Sequence, residues 1–235
     1  MLSDPSLIIS IVIIIFFAIG LHEYAHCKFA DMAGDPTPRI YGRVTLNLTK
    51  HFEPLGTMMM IFSSLSGVGI GWGRPAPMDP AKMRDPRWDF FIAILAGPMS
   101  NVLQAVVWGI IAKLFIMGKL MSQVELSAAR FDFSVGIFPT FFYLAVSLNI
   151  GLALFNLIPL GRLDGHWLVG LLMPEQMRLQ WFLWNRKVGT TALIVVIIGG
   201  QLMSRVDPRF DLISYIMPLR YFAANLILGI PSHND

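Results

Sequence analysis

The sequence predicts an all-α polytopic membrane protein with five or six transmembrane helices and a small membrane-associated β element. Three observations carry that prediction. Hydrophobic residues make up 55% of the 235-residue chain. Charged residues make up only 14%, against about 25% in an ordinary soluble domain, too few to clothe a surface that faces water on all sides. The apolar residues are also gathered into long runs, at about 7–30, 54–71, 88–117, 136–160, 188–204 and 211–229.

Crossing a hydrocarbon core about 30 Å thick takes about 20 residues. The first run contains "SLIISIVIIIFFAIG" and has neither a basic n-region before it nor a small-residue cleavage site after it. It therefore reads as a retained helix, not a signal peptide. The second, "LGTMMMIFSSLSGVGIGWG", mixes Met with Ser and Gly and is the softest of the six. Before it, residues 36–54 contain "RVTLNLT" (43–49), an alternating pattern that predicts a short strand or hairpin. After it, residues 71–87 are basic and proline-rich, hence an irregular loop. The runs at 88–117 and 136–160 are long enough to cross, and no internal repeat or separate soluble domain interrupts the pattern. The whole of 1–235 reads as one transmembrane domain, with a core at about 7–175 and a C-terminal helical hairpin at about 188–229.

The formal charge of +3 is small, and the basic residues lie in loops, which suits membrane topology and argues against a nucleic-acid partner. The single cysteine, Cys27, excludes an intrachain disulfide. If all six runs cross, Lys and Arg divide 9 against 8 between the two faces. If 54–71 instead enters and returns, the loops at 28–50, 71–87 and 162–187 share a face and the division becomes 12 against 5, leaving out Arg220 within the last run. The positive-inside rule favours the second arrangement. It has five crossings, the N-terminus outside and the C-terminus in the cytoplasm.

The first run ends in "LHEYAHC" (21–27). Residues four apart on a helix share a face, so His22 and His26 can offer two imidazole nitrogens to one metal. Glu23, beside the first ligand, stays free to take a proton from a water that the metal acidifies. This is the H-E-x-x-H arrangement of zinc hydrolases, and shuffling this composition produces it in roughly one chain in 500. Ionisable side chains within a span are costly and mark function; three polar residues capping a helix end would not need this spacing. A catalytic zinc site takes a third protein ligand and leaves one position open. His51 lies in a loop and His233 in a polar tail. The richest neighbourhood is "FNLIPLGRLDGHW" (155–167), where Pro159 breaks the helix and Asp164 falls on irregular backbone. Asp164 and His166 both remain candidates on these grounds.

At this point the chain resembles the site-2 protease family of intramembrane zinc metalloproteases. The likeness rests on His22-Glu23-Tyr24-Ala25-His26 and on N-x-x-P-x-x-x-x-D-G, present as Asn156, Pro159, Asp164 and Gly165. "GRVTLN", "HFEPLGT", "GWGRPAPMDP" and "AGPMSN" (96–101) are similar to a compact branch without PDZ or CBS domains. The resemblance covers about residues 7–175. It implies one zinc ion per chain on His22, His26 and Asp164, with Glu23 as general base. Asn156 looks like the residue that contacts the substrate or its oxyanion, and 43–49 like a strand that pairs with substrate. A helix that precedes the H-E-x-x-H helix in many members is missing here. The resemblance also implies an integral protein of a prokaryotic cell membrane, with its site towards the cytoplasm and a transmembrane protein as substrate.

The leading expectation is an intramembrane zinc endopeptidase. The alternative is a non-catalytic, protease-like adaptor or chaperone that holds transmembrane segments; loss of a ligand or base would favour it, and none is lost. A transporter would show inverted repeats with paired broken helices, and the sequence has neither.

Overall fold

The structure, a computed structural model, describes residues 5–65, 73–204, 206, 207, 209 and 211–231. Among these no strand occurs, and the architecture is a helical bundle. α1 (Pro5–Met32) is 28 residues long, and its apolar residues extend round the whole helix, as expected of a buried or membrane-spanning element. The short α2 (Thr37–Ile40) follows, then α3 (Pro54–Leu65). α4 (Trp88–Met117), α5 (Gln123–Ala128) and α6 (Ile137–Asn156) come next. Leu7, Ile11, Ile14, Ile15, Ala18 and Ile19 of α1 join Leu144, Ala145 and Leu152 of α6 in one apolar cluster. Among the described residues four helices are long and apolar enough to cross a membrane: Leu7–Met32, Trp88–Met117, Ile137–Asn156 and Glu175–Met203.

α6 stops at Asn156, short of the expected 160, because the residues before a proline are driven out of the helical region. The chain turns at Gly161, whose φ of +67° is the left-handed conformation that favours glycine. It re-enters helix at once: Asp164 is the first residue of α7 (Asp164–Leu172), not part of an irregular stretch. Gly165 lies so close to the Leu157 and Ile158 carbonyls that a Cβ would overlap them, so the Asp-Gly pair is a packing requirement as well as a turn. The next helix is longer than the run at 188–204 suggested. It starts as α8 (Glu175–Trp184) and runs on through a π turn (Asn185–Gly189), α9 (Thr190–Ile194), a second π turn (Val195–Gly199) and α10 (Gly200–Met203).

α11 (Leu212–Leu228) packs on α6 and α4. Its Arg220 Nε donates to Ser147 Oγ at 2.8 Å. Beyond its end, Gln123 Nε2 donates to the carbonyls of Leu228 and Gly229 at 3.2 and 3.1 Å. α11 is thus antiparallel to α6, and its C-terminal end sits beside α5, where α4 has ended and α6 has not begun. That is the end of the bundle opposite Asp164. The charge count alone put the C-terminus on the same face as the metal ligands, and the packing of α11 corrects it.

One further expectation changes. Residues 44–46 form bends leading into a 3-10 helix (Leu48–His51), not a strand. A strand needs a paired neighbour, and none lies alongside among the described residues. The run at 54–71 is helical as far as Leu65, and residues 66–72 lie outside the described residues. Its two flanks meet, since Arg74 N–H donates to the His51 carbonyl at 2.9 Å.

Candidate metal centre

α1 projects His22 and His26 towards α4 and α7. The two Nε2 atoms lie 3.0 Å apart. Asp164 brings Oδ2 to 3.2 Å from His22 Nε2 and Oδ1 to 3.4 Å from His26 Nε2. All three side chains lie well inside the protein, and their ligand atoms lie within 4.8 Å of one another. The fit to zinc is testable on these distances. Zn–N and Zn–O bonds of about 2.0–2.1 Å in a tetrahedron separate ligand atoms by about 3.3–3.4 Å; the two Nε2 atoms at 3.0 Å lie slightly inside that, and each Asp164 oxygen faces a different imidazole at 3.2 and 3.4 Å. Asp164 Oδ2 is buried with no hydrogen-bond partner, a cost that a cation at the centre removes.

Backbone and amide acceptors fix both imidazoles in the ligating tautomer. His26 Nδ1 donates to the Ala93 carbonyl at 2.8 Å, and His22 Nδ1 to Asn101 Oδ1 at 2.7 Å. Each ring then presents the Nε2 lone pair to the centre, the arrangement that orients metal-bound histidines generally. Gly97, between these two anchors on α4, leaves room for the rings: a Cβ there would overlap the His26 imidazole and approach His22 Cε1 to 2.8 Å. The family model described as Peptidase family M50 matches residues 10–199, a span that contains His22, Glu23, His26, Asn156 and Asp164.

The chain belongs to peptidase family M50, the site-2 protease family. A Bacillus subtilis (strain 168) protein named "Putative zinc metalloprotease YwhC" is 35% identical over 175 residues, which is 74% of this chain and 73% of that relative. No solved structure matches. As an M50 member the chain is a metalloprotease, and the group of side chains that could hold its metal is completed by Asp164, not by His166. The His166 ring turns away, with Nδ1 on the Leu163 carbonyl at 2.6 Å and its faces towards Trp167 and Phe182. His233 lies outside the described residues.

Glu23 is buried one residue from His22. The chain at Gly73 passes directly against it, so that a Cβ at Gly73 would stand 3.1 Å from Glu23 Oε1. Arg43 holds that crossing in place. Its Nη2 donates to the Arg74 carbonyl at 2.6 Å and its Nη1 to the Pro75 carbonyl at 3.4 Å. Beneath it His51 is fully buried; its Nε2 donates to the Thr45 carbonyl at 3.0 Å, which leaves Nδ1 to accept from Arg43 at 3.4 Å. His51 is thus part of a latch beside Glu23, not a ligand. Burial lowers its pKa, and the neighbouring Arg43 charge lowers it further against the opposing Thr45 bond. Cys27 is fully buried, in keeping with a packing role.

Asn156 spends its amide on its own helix. It ends α6, and its Nδ2 donates to the Leu152 carbonyl one turn back at 3.0 Å. The sequence reading also missed Gly97, Asn101 and Arg43 as functional residues. A signal existed for the first two, because "AGPMSN" places a glycine and a carboxamide inside an otherwise apolar helix.

Proposed function

We propose that this protein is an intramembrane zinc endopeptidase that hydrolyses peptide bonds within or near the transmembrane segment of a membrane-protein substrate. The convergence of His22 Nε2, His26 Nε2 and Asp164 at 3.0–3.4 Å carries the reading. These three residues would hold one zinc ion, which supplies a Lewis acid and lowers the pKa of a water at the site. Glu23, adjacent in sequence but not among the ligands, takes the proton from the attacking water and returns it to the leaving amine. The latched chain at Gly73–Pro75 covers Glu23 and limits access of bulk water. Asn156 serves as an amide donor to the developing oxyanion once its bond to Leu152 is exchanged for one to substrate.

The same reading places the site on the cytoplasmic side. The hydrogen bond between Arg74 and His51 supports an excursion at 54–73 that leaves and rejoins the same face. The antiparallel α11 supports four crossings, by α1, α4, α6 and α11, with the continuous helix from α8 to α10 lying along the metal-site face instead of crossing. The loop between α10 and α11 then joins the metal-site face, and the division of Lys and Arg sharpens from 12 against 5 to 14 against 3.

The test pairs metal analysis of the purified chain with co-expression of candidate transmembrane substrates, comparing wild type with Glu23→Gln. One zinc per chain and cleavage that depends on Glu23 are expected. Stoichiometric zinc without Glu23-dependent cleavage of any substrate would favour the adaptor reading, and equal cleavage by the variant would remove Glu23 from its role.

A further inference from the structure

The two histidines are oriented by unlike partners. His26 depends on a backbone carbonyl, Ala93, which no side-chain substitution removes. His22 depends on a carboxamide, Asn101, and a carboxamide can present either oxygen or nitrogen. Two acceptors decide which end of Asn101 faces His22, one on α1 itself and one a helix further away.

Asn101 Nδ2 donates to the Ala18 carbonyl at 3.1 Å and to Asn149 Oδ1 at 3.0 Å. A carbonyl oxygen can only accept, so the Ala18 contact identifies the Asn101 nitrogen without ambiguity. Both protons of that nitrogen are then engaged. Asn149 is set in the same manner: its own Nδ2 donates to the Ala145 carbonyl at 2.9 Å, which turns its Oδ1 towards Asn101. Asn101 and Asn149 are both fully buried. With its amide pinned at two acceptors, Asn101 offers His22 an oxygen, and His22 must carry its proton on Nδ1. The opposite tautomer would set two lone pairs against each other at 2.7 Å and aim an N–H at the metal position.

We propose that Asn149 is a positioning residue for the metal site, acting from α6 through Asn101 of α4 to hold His22 of α1 in its ligating tautomer. It touches neither metal nor substrate. Its effect is to remove the flipped state of Asn101, in which NH₂ faces His22 and the imidazole is driven to protonate Nε2. A flip of Asn101 strips His22 of its direct acceptor, and losing such a direct partner commonly costs 10–100-fold in metal affinity. The relay couples α1, α4 and α6 at the depth of the metal site, so the ligand geometry depends on the packing of all three.

The inference rests on the reading of His22, His26 and Asp164 as zinc ligands. The experiment measures zinc affinity of the full-length, detergent-purified chain by competition with a chromophoric chelator, and visible absorption after Co²⁺ substitution. The series is wild type, His22→Ala, Asn149→Leu and Asn149→Asp. Leucine keeps the volume and removes the acceptor; aspartate keeps an acceptor oxygen facing Asn101. Asn149→Leu is expected to weaken zinc binding at least tenfold and alter the Co²⁺ bands, with Asn149→Asp within about threefold of wild type. A role in packing alone would spare leucine and penalise the buried aspartate. Wild-type affinity in Asn149→Leu, or equal losses in both variants, overturns the proposal. If Asn149→Leu does not survive purification, Asn149→Ala answers the same question. Failure of wild type to bind zinc more tightly than His22→Ala would instead overturn the metal-site reading itself.

Discussion

Gly97 faces the His26 ring so closely that a single methyl group added there would occupy the imidazole's own space. Gly97 lies inside the long helix α4, where replacing glycine by alanine normally gains up to about 1 kcal/mol in helix propensity. Here the two effects oppose, and the clash is expected to win because both rings are held at Nδ1 and cannot swing aside. Gly97→Ala should lose most of its zinc, read as metal per chain, while the helical content by circular dichroism is unchanged. Full zinc occupancy in this variant would show that the rings have more freedom than their hydrogen bonds allow.

Arg43 is a clamp that a lysine cannot imitate. The guanidinium reaches Arg74, Pro75 and His51 through two nitrogens, whereas an ammonium is a single point. Arg43→Lys is expected to keep zinc and lose at least tenfold in cleavage rate, with faster proteolytic nicking near residues 73–79. Unchanged cleavage in the lysine variant would separate the clamp from the chemistry.

The latch is also expected to loosen in acid. The pKa of His51 in the folded state lies below its unfolded value, so it contributes stability that is complete above the unfolded value of about 6.5. That contribution is lost as pH falls below 6.5 towards the folded value. Arg43 and the nearby Tyr24 ring are the side chains facing it, and neither supplies a counter-charge. Hydrogen exchange of residues 43–51 and 73–75 should accelerate from pH 7.5 to 5.5 beyond the intrinsic trend. His51→Gln, which cannot charge, should flatten that response.

The fourth prediction concerns sidedness. Reporters fused after Arg87 and after Ile230 should emerge on opposite faces of the membrane, because α11 ends beside Gln123, across the bundle from α7. Both reporters on one face would restore the five-crossing arrangement.

The chemistry was far more legible in the sequence than the frame that holds it. His22 and His26 share a helix, and their spacing states their geometry directly. Asp164 could be found because Pro159 and Gly165 mark the break that delivers it. Asn101 sits 79 residues from His22, and a carboxamide in an apolar run names no partner. Arg43 was hidden for another reason: its acceptors are carbonyls of the Arg74 and Pro75 backbone, and backbone acceptors leave no trace in residue identity. The alternation at 43–49 suggested a strand correctly in residue type, but pairing is a property of two segments and no neighbour was there to be read. The direction of α11 depends on whether the marginal helix before it crosses, which charge counting cannot decide alone.

The hydrogen bond between Arg74 and His51 closes the chain on itself around the excursion at 54–73. Leu55, Met58, Met59 and Phe62 on α3 are well exposed in the protein and turn outward. On its inner side Met60 packs into the apolar cluster of α1 and α6, which ties α3 to the helix that carries His22 and His26. Doubling a closed loop costs only about 0.6 kcal/mol in closure entropy. The fastening at His51 and Arg74, and not the length of chain between them, is what fixes where the backbone passes Glu23.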